Sequence, residues 1–179
     1  GMLVEGFEED CTMATYYNTS YYQQIVERKK KKKEVDWIQY RIKANQEIPE
    51  KIFRINNLIK EKYNLRIVEG LSAKQIAKRY GYKLFDTLNE AFSHLFGYVP
   101  LNKKQMQFYI DMYFPFLDKR LLCLIVDEND EIAAFGVSMP SLTEALRKSK
   151  GKLFPFGWYY LLKAIHNFEK IDLYFNGVH

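Results

Sequence analysis

The stretch "SAKQIAKRYGYKLFDTLNEAF" at 72–92, with "LLCLIVDENDEIAAFGV" at 121–137, decides the fold class. In the first, Ile76, Tyr80, Leu84, Leu88 and Phe92 recur at every fourth position, and Leu95 follows three further on. That spacing lines apolar side chains along one helix face. Ser72 with Gln75 three residues later is a capping-box signature, so a long helix begins here and runs toward Gly97, with a potential interruption at Gly81. In the second stretch two apolar runs flank the polar "DEND", the punctuation of a β-hairpin.

Working outward, "NLRIVEG" at 64–70 reads as a strand closed by Gly70. Pro49 opens a helix whose Ile52, Ile55, Ile59 and Tyr63 form one apolar stripe. Asn102 with Gln105 repeats the capping signature for a helix that stops before Pro115. Ser141 with Glu144 gives a third, for a helix to Gly151, and Pro155 begins another through "PFGWYYLLKAI". The closing "KIDLYFNGVH" alternates Ile171, Leu173 and Phe175 with Asp172, Tyr174 and Asn176, the period of a strand whose apolar face meets a core. From Leu65 the order is strand, helix, helix, strand, strand, helical insertion, strand: an α+β chain with a mostly antiparallel sheet flanked by helices in three layers. Before it, a helix over Tyr21–Arg28 leads through Lys29–Lys33 into an expected strand over Asp36–Lys43, with Ile38, Tyr40 and Ile42 on one face.

Composition narrows the classes. At 179 residues with 47% hydrophobic content the chain can bury a core. No apolar run approaches the roughly 18 residues of a membrane span, and no leader pattern opens the chain, so a cytoplasmic protein without a membrane partner is expected. Cys11 and Cys123 lack neighbours at metal-ligand spacing and read as buried or half-buried thiols, with no metal site. The net charge of +5 is the Lys29–Lys33 tract, since the other 22 basic residues balance 22 acidic ones. Without interleaved aromatics or a recognition motif, the tract reads as a solvated loop, and nucleic acid is not the expected partner.

The residues "LNEAFSHLFGYVPLNKKQ", "CLIVDENDEIAAFGVSMPSLTEALRKSKG", "LFPFGWYYLLKA" and "IDLYFNGV" resemble the middle of a larger, two-part bacterial protein of the GNAT acyl-CoA N-acyltransferase superfamily. On that resemblance, 1–45 is the tail of one unit, 46–64 a connector, and 65–179 the first half of a partial GNAT-like domain ending at its fourth strand. The resemblance implies acetyl transfer from acetyl-CoA to an amine in intact relatives. There the fourth strand leads into a glycine-rich loop whose amides and helix start hold the cofactor's pyrophosphate. The sequence ends before that loop, so tight cofactor binding is not expected and the chain is expected to be inactive or impaired alone. By position, the backbone of Asn176, Gly177 and Val178 would run beside pantetheine, and Glu90, Ser93, His94 and Tyr98 would face the acceptor cleft. Glu90 and His94 would form an acid–base couple or a surface hydrogen-bonded pair. Tyr174 would be a general acid or a sheet tyrosine, and His166 would meet the carbonyls of its own helix end. Two other readings stand beside this one. The first is an interaction module whose open sheet edge pairs with a second copy, as a homodimer, or with the missing half of the fold. The second is an anionic-surface or nucleic-acid binder working through Lys29–Lys33.

Overall fold

The computed structural model describes residues 1–44 and 47–179. In chain order its elements are α1 (Tyr21–Arg28), α2 (Glu50–Lys62), β1 (Arg66–Ile67), α3 (Ala73–Phe92), α4 (Lys103–Tyr113), β2 (Leu122–Val126), β3 (Ile132–Pro140), α5 (Thr143–Ser149), α6 (Gly157–His166) and β4 (Ile171–Val178). They form two compact units, each discontinuous in sequence: Gly1–Ile38 with Pro140–Asp172, and Gln39–Met139 with Leu173–His179. The expected boundary at residues 45 and 46 lies outside the described residues. No helix among the described residues is long and apolar enough to cross a membrane.

The second unit is built on a four-stranded sheet in the order β1–β2–β3–β4. Arg66 faces Val126 across β1 and β2, and Leu124 faces Phe135 across β2 and β3, both pairs antiparallel, with an irregularity at Ile125/Val126. β4 closes the order, with the His179 amide donating to Ala133 O at 2.9 Å. The α+β class and the expected order of elements from Leu65 onward are therefore present.

α3 supplies the core stripe. Ile76, Tyr80, Leu84 and Leu88 pack with Ile110 and Phe114 against Leu124, Val126, Ile132 and Phe135. Its start is held by both halves of the capping box: Gln75 N–H donates to Ser72 Oγ at 3.3 Å and Ser72 N–H to Gln75 Oε1 at 2.8 Å. Asn102 and Gln105 do the same for α4, both at 3.0 Å. Gly81 does not interrupt α3. A Cβ there would fall 2.9 Å from Ile110 Cδ1, so the missing side chain lets α4 approach closely.

In the first unit the N-terminal segment is tied to α5, where Arg147 pairs with Asp10 at 2.9 Å and Thr143 Oγ1 donates to Cys11 O at 3.1 Å. α5 and α6 pack on each other. Ala145 is the only hydrophobic residue of this unit counted in the buried core among the described residues.

Several expectations are corrected. Residues 36–43 form no strand, and Trp37, Ile38, Tyr40 and Ile42 are exposed. Alternation alone cannot make a strand, because its backbone groups need a ladder partner, and no strand among the described residues pairs with this segment. Pro49 caps α2 rather than occupying its first turn, and the apolar stripe of that helix is exposed. The Ser141/Glu144 signature is not used: α5 starts at Thr143 with Leu142 as its cap. The Ser141 amide instead donates to Lys170 O at 2.9 Å, and Glu144 accepts from Lys170 Nζ at 2.9 Å. Cys11 and Cys123 are exposed free thiols. Cys123 lies between the core residues Leu122 and Leu124, so the strand's alternation turns it to the other face.

Candidate functional site

A groove of about 990 Å³ opens in the second unit. Its floor takes residues from all four strands: Ile67, Ile125 and Ala134 are successive cross-strand partners, and Val178 lies on β4. Ile59 of α2 and Tyr63, which caps its C-terminus, form an apolar wall. Lys83, Asp86 and Glu90 of α3, Glu131 of the hairpin and His179 contribute the polar rim. The groove thus combines apolar side chains with a rim of both charge signs, in which Lys60 and Arg66 also take part and Lys83 pairs with Glu131 at 2.7 Å.

On this rim Glu90 Oε2 lies 3.0 Å from His179 Nε2, with both side chains open to solvent. Glu90 stands in the last turn of α3, and the amide of His179 is tied to β3, so helix and sheet hold the two partners independently. The expected Glu90–His94 couple does not form. α3 ends at Phe92 and Ser93 caps it, donating from Oγ to Glu90 O at 2.7 Å, while the Glu90 carboxylate is engaged by His179. Tyr98 donates to Asn89 Oδ1 at 2.7 Å, and Asn89 also bonds both the amide and the carbonyl of Leu101. Burial pushes the Tyr98 hydroxyl above its ordinary pKa. Ser93 and Tyr98 thus brace the link between α3 and α4.

β4 supplies the other expected positions. Gly177 lies under the ring of Phe135, where a Cβ would sit 2.4 Å from Phe135 Cε1. Asn176 places Oδ1 3.2 Å from the position of a Gly136 Cβ, and Val178 lines the groove. Because β4 ends the strand order, the outward backbone groups of 176–178 have no ladder partner among the described residues. Tyr174 is half-buried on the strand face opposite Phe175. The expected burial of Ile171, Leu173 and Phe175 is not found, since all three are exposed. The Phe92 ring at the end of α3 lies 6.3 Å from that of Phe175 and 5.7 Å from that of Tyr98, centroid to centroid. His166 behaves as expected, with Nδ1 2.8 Å from Leu162 O.

The hairpin turn beside the groove is clamped by Asp130, which accepts from Arg66, from Arg79 Nε at 2.9 Å and from Tyr80 Oη at 2.7 Å. Burial raises the pKa of this carboxyl. The bonds from Tyr80 and Arg79, the charge of Arg79 and the bond from Arg66 outweigh that and hold it at about 2. Lys83 Nζ adds bonds to Asp130 O and Glu131 Oε1, at 2.8 and 2.7 Å. Among the described residues, no three His, Cys, Asp or Glu side chains are grouped to share a metal ion.

With this geometry in view, the chain is 26% identical over 166 residues to a protein named bacterial ceramide synthase from Caulobacter vibrioides. The match covers 90% of this chain and 41% of that protein, so the chain spans about two-fifths of the length of the curated relative it matches. No family model matches the sequence. No solved structure matches it at significance.

His179 is the site residue that sequence reasoning missed. Its partner Glu90 lies 89 positions earlier. No periodicity or local motif links positions so far apart, and only the antiparallel placement of β4 beside β3 brings His179 to the end of α3.

Proposed function

We propose that this chain is part of an acyltransferase that forms an amide between a long fatty acyl group and a long-chain amino alcohol. The observation that carries the reading is the similarity to a ceramide synthase over 90% of the chain. A ceramide is such an amide. The groove supports the same reading through its apolar floor and its carboxylate-bearing rim. The GNAT resemblance adds acyl-CoA as the donor class, and the groove's volume of about 990 Å³ leaves room for a long acyl chain or base rather than only an acetyl group. The division into a 1–45 tail, a 46–64 connector and a 65–179 half-domain belongs to this proposal.

A bound acyl-CoA would supply a thioester carbonyl open to attack by an amine. In this chain the outward backbone of Asn176, Gly177 and Val178 would hold the cofactor's amide arm along β4. Glu90 orients the His179 imidazole through Nε2, which leaves Nδ1 as the atom that would take the amine proton. The same proton would pass from His179 to the leaving thiolate, so no other proton source would be needed.

Calorimetry with a long-chain acyl-CoA and with acetyl-CoA tests the reading. Long-chain acyl-CoA should bind at least about tenfold more tightly, because each buried methylene contributes ~0.8 kcal/mol. With the glycine-rich half of the fold supplied in the same polypeptide, mass spectrometry should detect the amide when a long-chain amino alcohol is added, and His179→Ala should reduce it. Equal affinity for the two thioesters, together with no amide, would sink the proposal.

A second reading is favoured by Ile171, Leu173 and Phe175, exposed on the strand that ends the sheet. Pairing of β4 with the same strand of a second copy would cover both its backbone edge and these side chains. Light scattering over a dilution series should then show a dimer that Leu173→Pro abolishes. A monomer at every concentration removes this reading.

A further inference from the structure

We infer that the unit formed by 1–38 and 140–172 docks on an anionic lipid bilayer through "KSKGKLFPFGWYYLLKAI", residues 148–165. Leu153, Phe154 and Phe156 are 51%, 75% and 67% exposed, and Trp158, Tyr159 and Leu162 beside them are about half exposed. Their exposure is built in by the turn that carries them. Lys152 N–H donates to Ser149 O at 3.0 Å, Trp158 N–H to Leu153 O at 2.9 Å, and Trp158 Nε1–H to Pro155 O at 2.9 Å. Gly157 is buried, and a Cβ there would fall 1.8 Å from Lys152 O, so the backbone closes on itself and the side chains point away. An apolar patch held open in this way is stabilised by an apolar medium outside the protein.

Charge identifies that medium. Lys148, Lys150 and Lys152 are exposed immediately before the apolar turn, Lys163 follows within α6, and no acidic residue occurs between 145 and 168. Arg147 is spent on Asp10. The same unit carries Lys29–Lys33, exposed throughout, with Lys33 paired to Asp36. Lysines flanking inserted Phe and Leu, with Trp and Tyr at the boundary, match the layers of a bilayer surface: phosphate outside, acyl chains within. A nucleic acid fits less well, because Leu153, Pro155, Leu162 and Ile165 have no aromatic ring to stack on a base. No helix among the described residues is long and apolar enough to cross a membrane, and a peripheral surface needs none. This inference does not rest on the acyl-transfer reading.

The test is co-sedimentation of the full chain with phosphatidylcholine vesicles and with vesicles also containing phosphatidylglycerol. It is read alongside Trp158 emission in a Trp37→Phe background. The chain should sediment with the anionic vesicles, less so as salt is raised, and the emission should shift to the blue as the ring leaves water. Phe154→Ser with Phe156→Ser should weaken binding by about tenfold or more while leaving far-ultraviolet circular dichroism unchanged, since both side chains are exposed. Replacing Lys148, Lys150 and Lys152 with glutamine should flatten the salt dependence. The emission measurement stands even if a variant fails to fold. Absence of sedimentation, equal sedimentation with neutral vesicles, or undiminished binding by the Phe154→Ser/Phe156→Ser variant would overturn the inference. So would retention of a single-stranded RNA oligomer without vesicle binding, or self-association that shifts Trp158 emission in the absence of vesicles.

Discussion

Leu84 is 3% exposed and Phe154 is 75% exposed, and each represents the unit it belongs to. In the unit of 39–139 and 173–179, apolar residues arrive as stripes on α3 and α4 and meet the apolar face of β2 and β3. In the other unit, α6 and the turn before it are richer in aromatics, yet the packing of α5 on α6 covers few of them. The lesson is that apolar content becomes a core only where a second layer of matching shape faces it. Where none does, the same residues form a surface.

The most severe challenge to this contrast is Leu84→Ala, which removes a core side chain between α3 and the sheet. It should cost about 3 kcal/mol in urea unfolding followed by circular dichroism. A loss below about 1 kcal/mol would mean the two units are packed alike.

Next is Gly177→Ala, which forces a methyl group into the Phe135 ring and should cost about 2 kcal/mol. Phe135→Leu in the same chain should recover part of that loss, and an additive double variant would show that the contact is not the cause.

Asp130→Asn probes the polar side of the same unit and should lose about 1–2 kcal/mol near neutral pH. The folded carboxyl titrates at about 2, below the unfolded value of about 4, so its contribution is fully present above the unfolded value. It is lost as pH falls through the folded value. The gap between parent and variant in urea midpoint should therefore close on acidification, and a gap that persists to pH 2 would assign the effect to packing. The smallest effect is expected from Phe154→Ala, within about 0.5 kcal/mol, and a larger loss would place this ring inside a core.

Parts of this architecture were legible in advance. Ser72/Gln75 and Asn102/Gln105 marked two helix starts, and "DEND" between apolar runs marked the hairpin, because a cap or a tight turn depends on residues within a few positions of one another. The same local pattern at Ser141/Glu144 failed, since Lys170 engages both the Ser141 amide and the Glu144 carboxylate. Alternation over Asp36–Lys43 failed for want of a partner strand. At the candidate site, Glu90 was legible as a polar position at the end of α3, while its contact with His179 was not, because that contact depends on where β4 lies.

What the sequence determined by itself is the class of most elements and the side of α3 that packs inward. Backbone hydrogen bonding and side-chain periodicity act over one to four residues, and that information is contained in each segment. The joining of Glu90 to His179, the passage of Gly177 under Phe135, the clamp of Arg66, Arg79 and Tyr80 on Asp130, and the outward presentation of Phe154 and Phe156 were decided only in the tertiary structure. Each depends on strand order, or on which faces are left uncovered. Those follow from the packing of whole elements, where burial of apolar area summed over many side chains outweighs any single local preference.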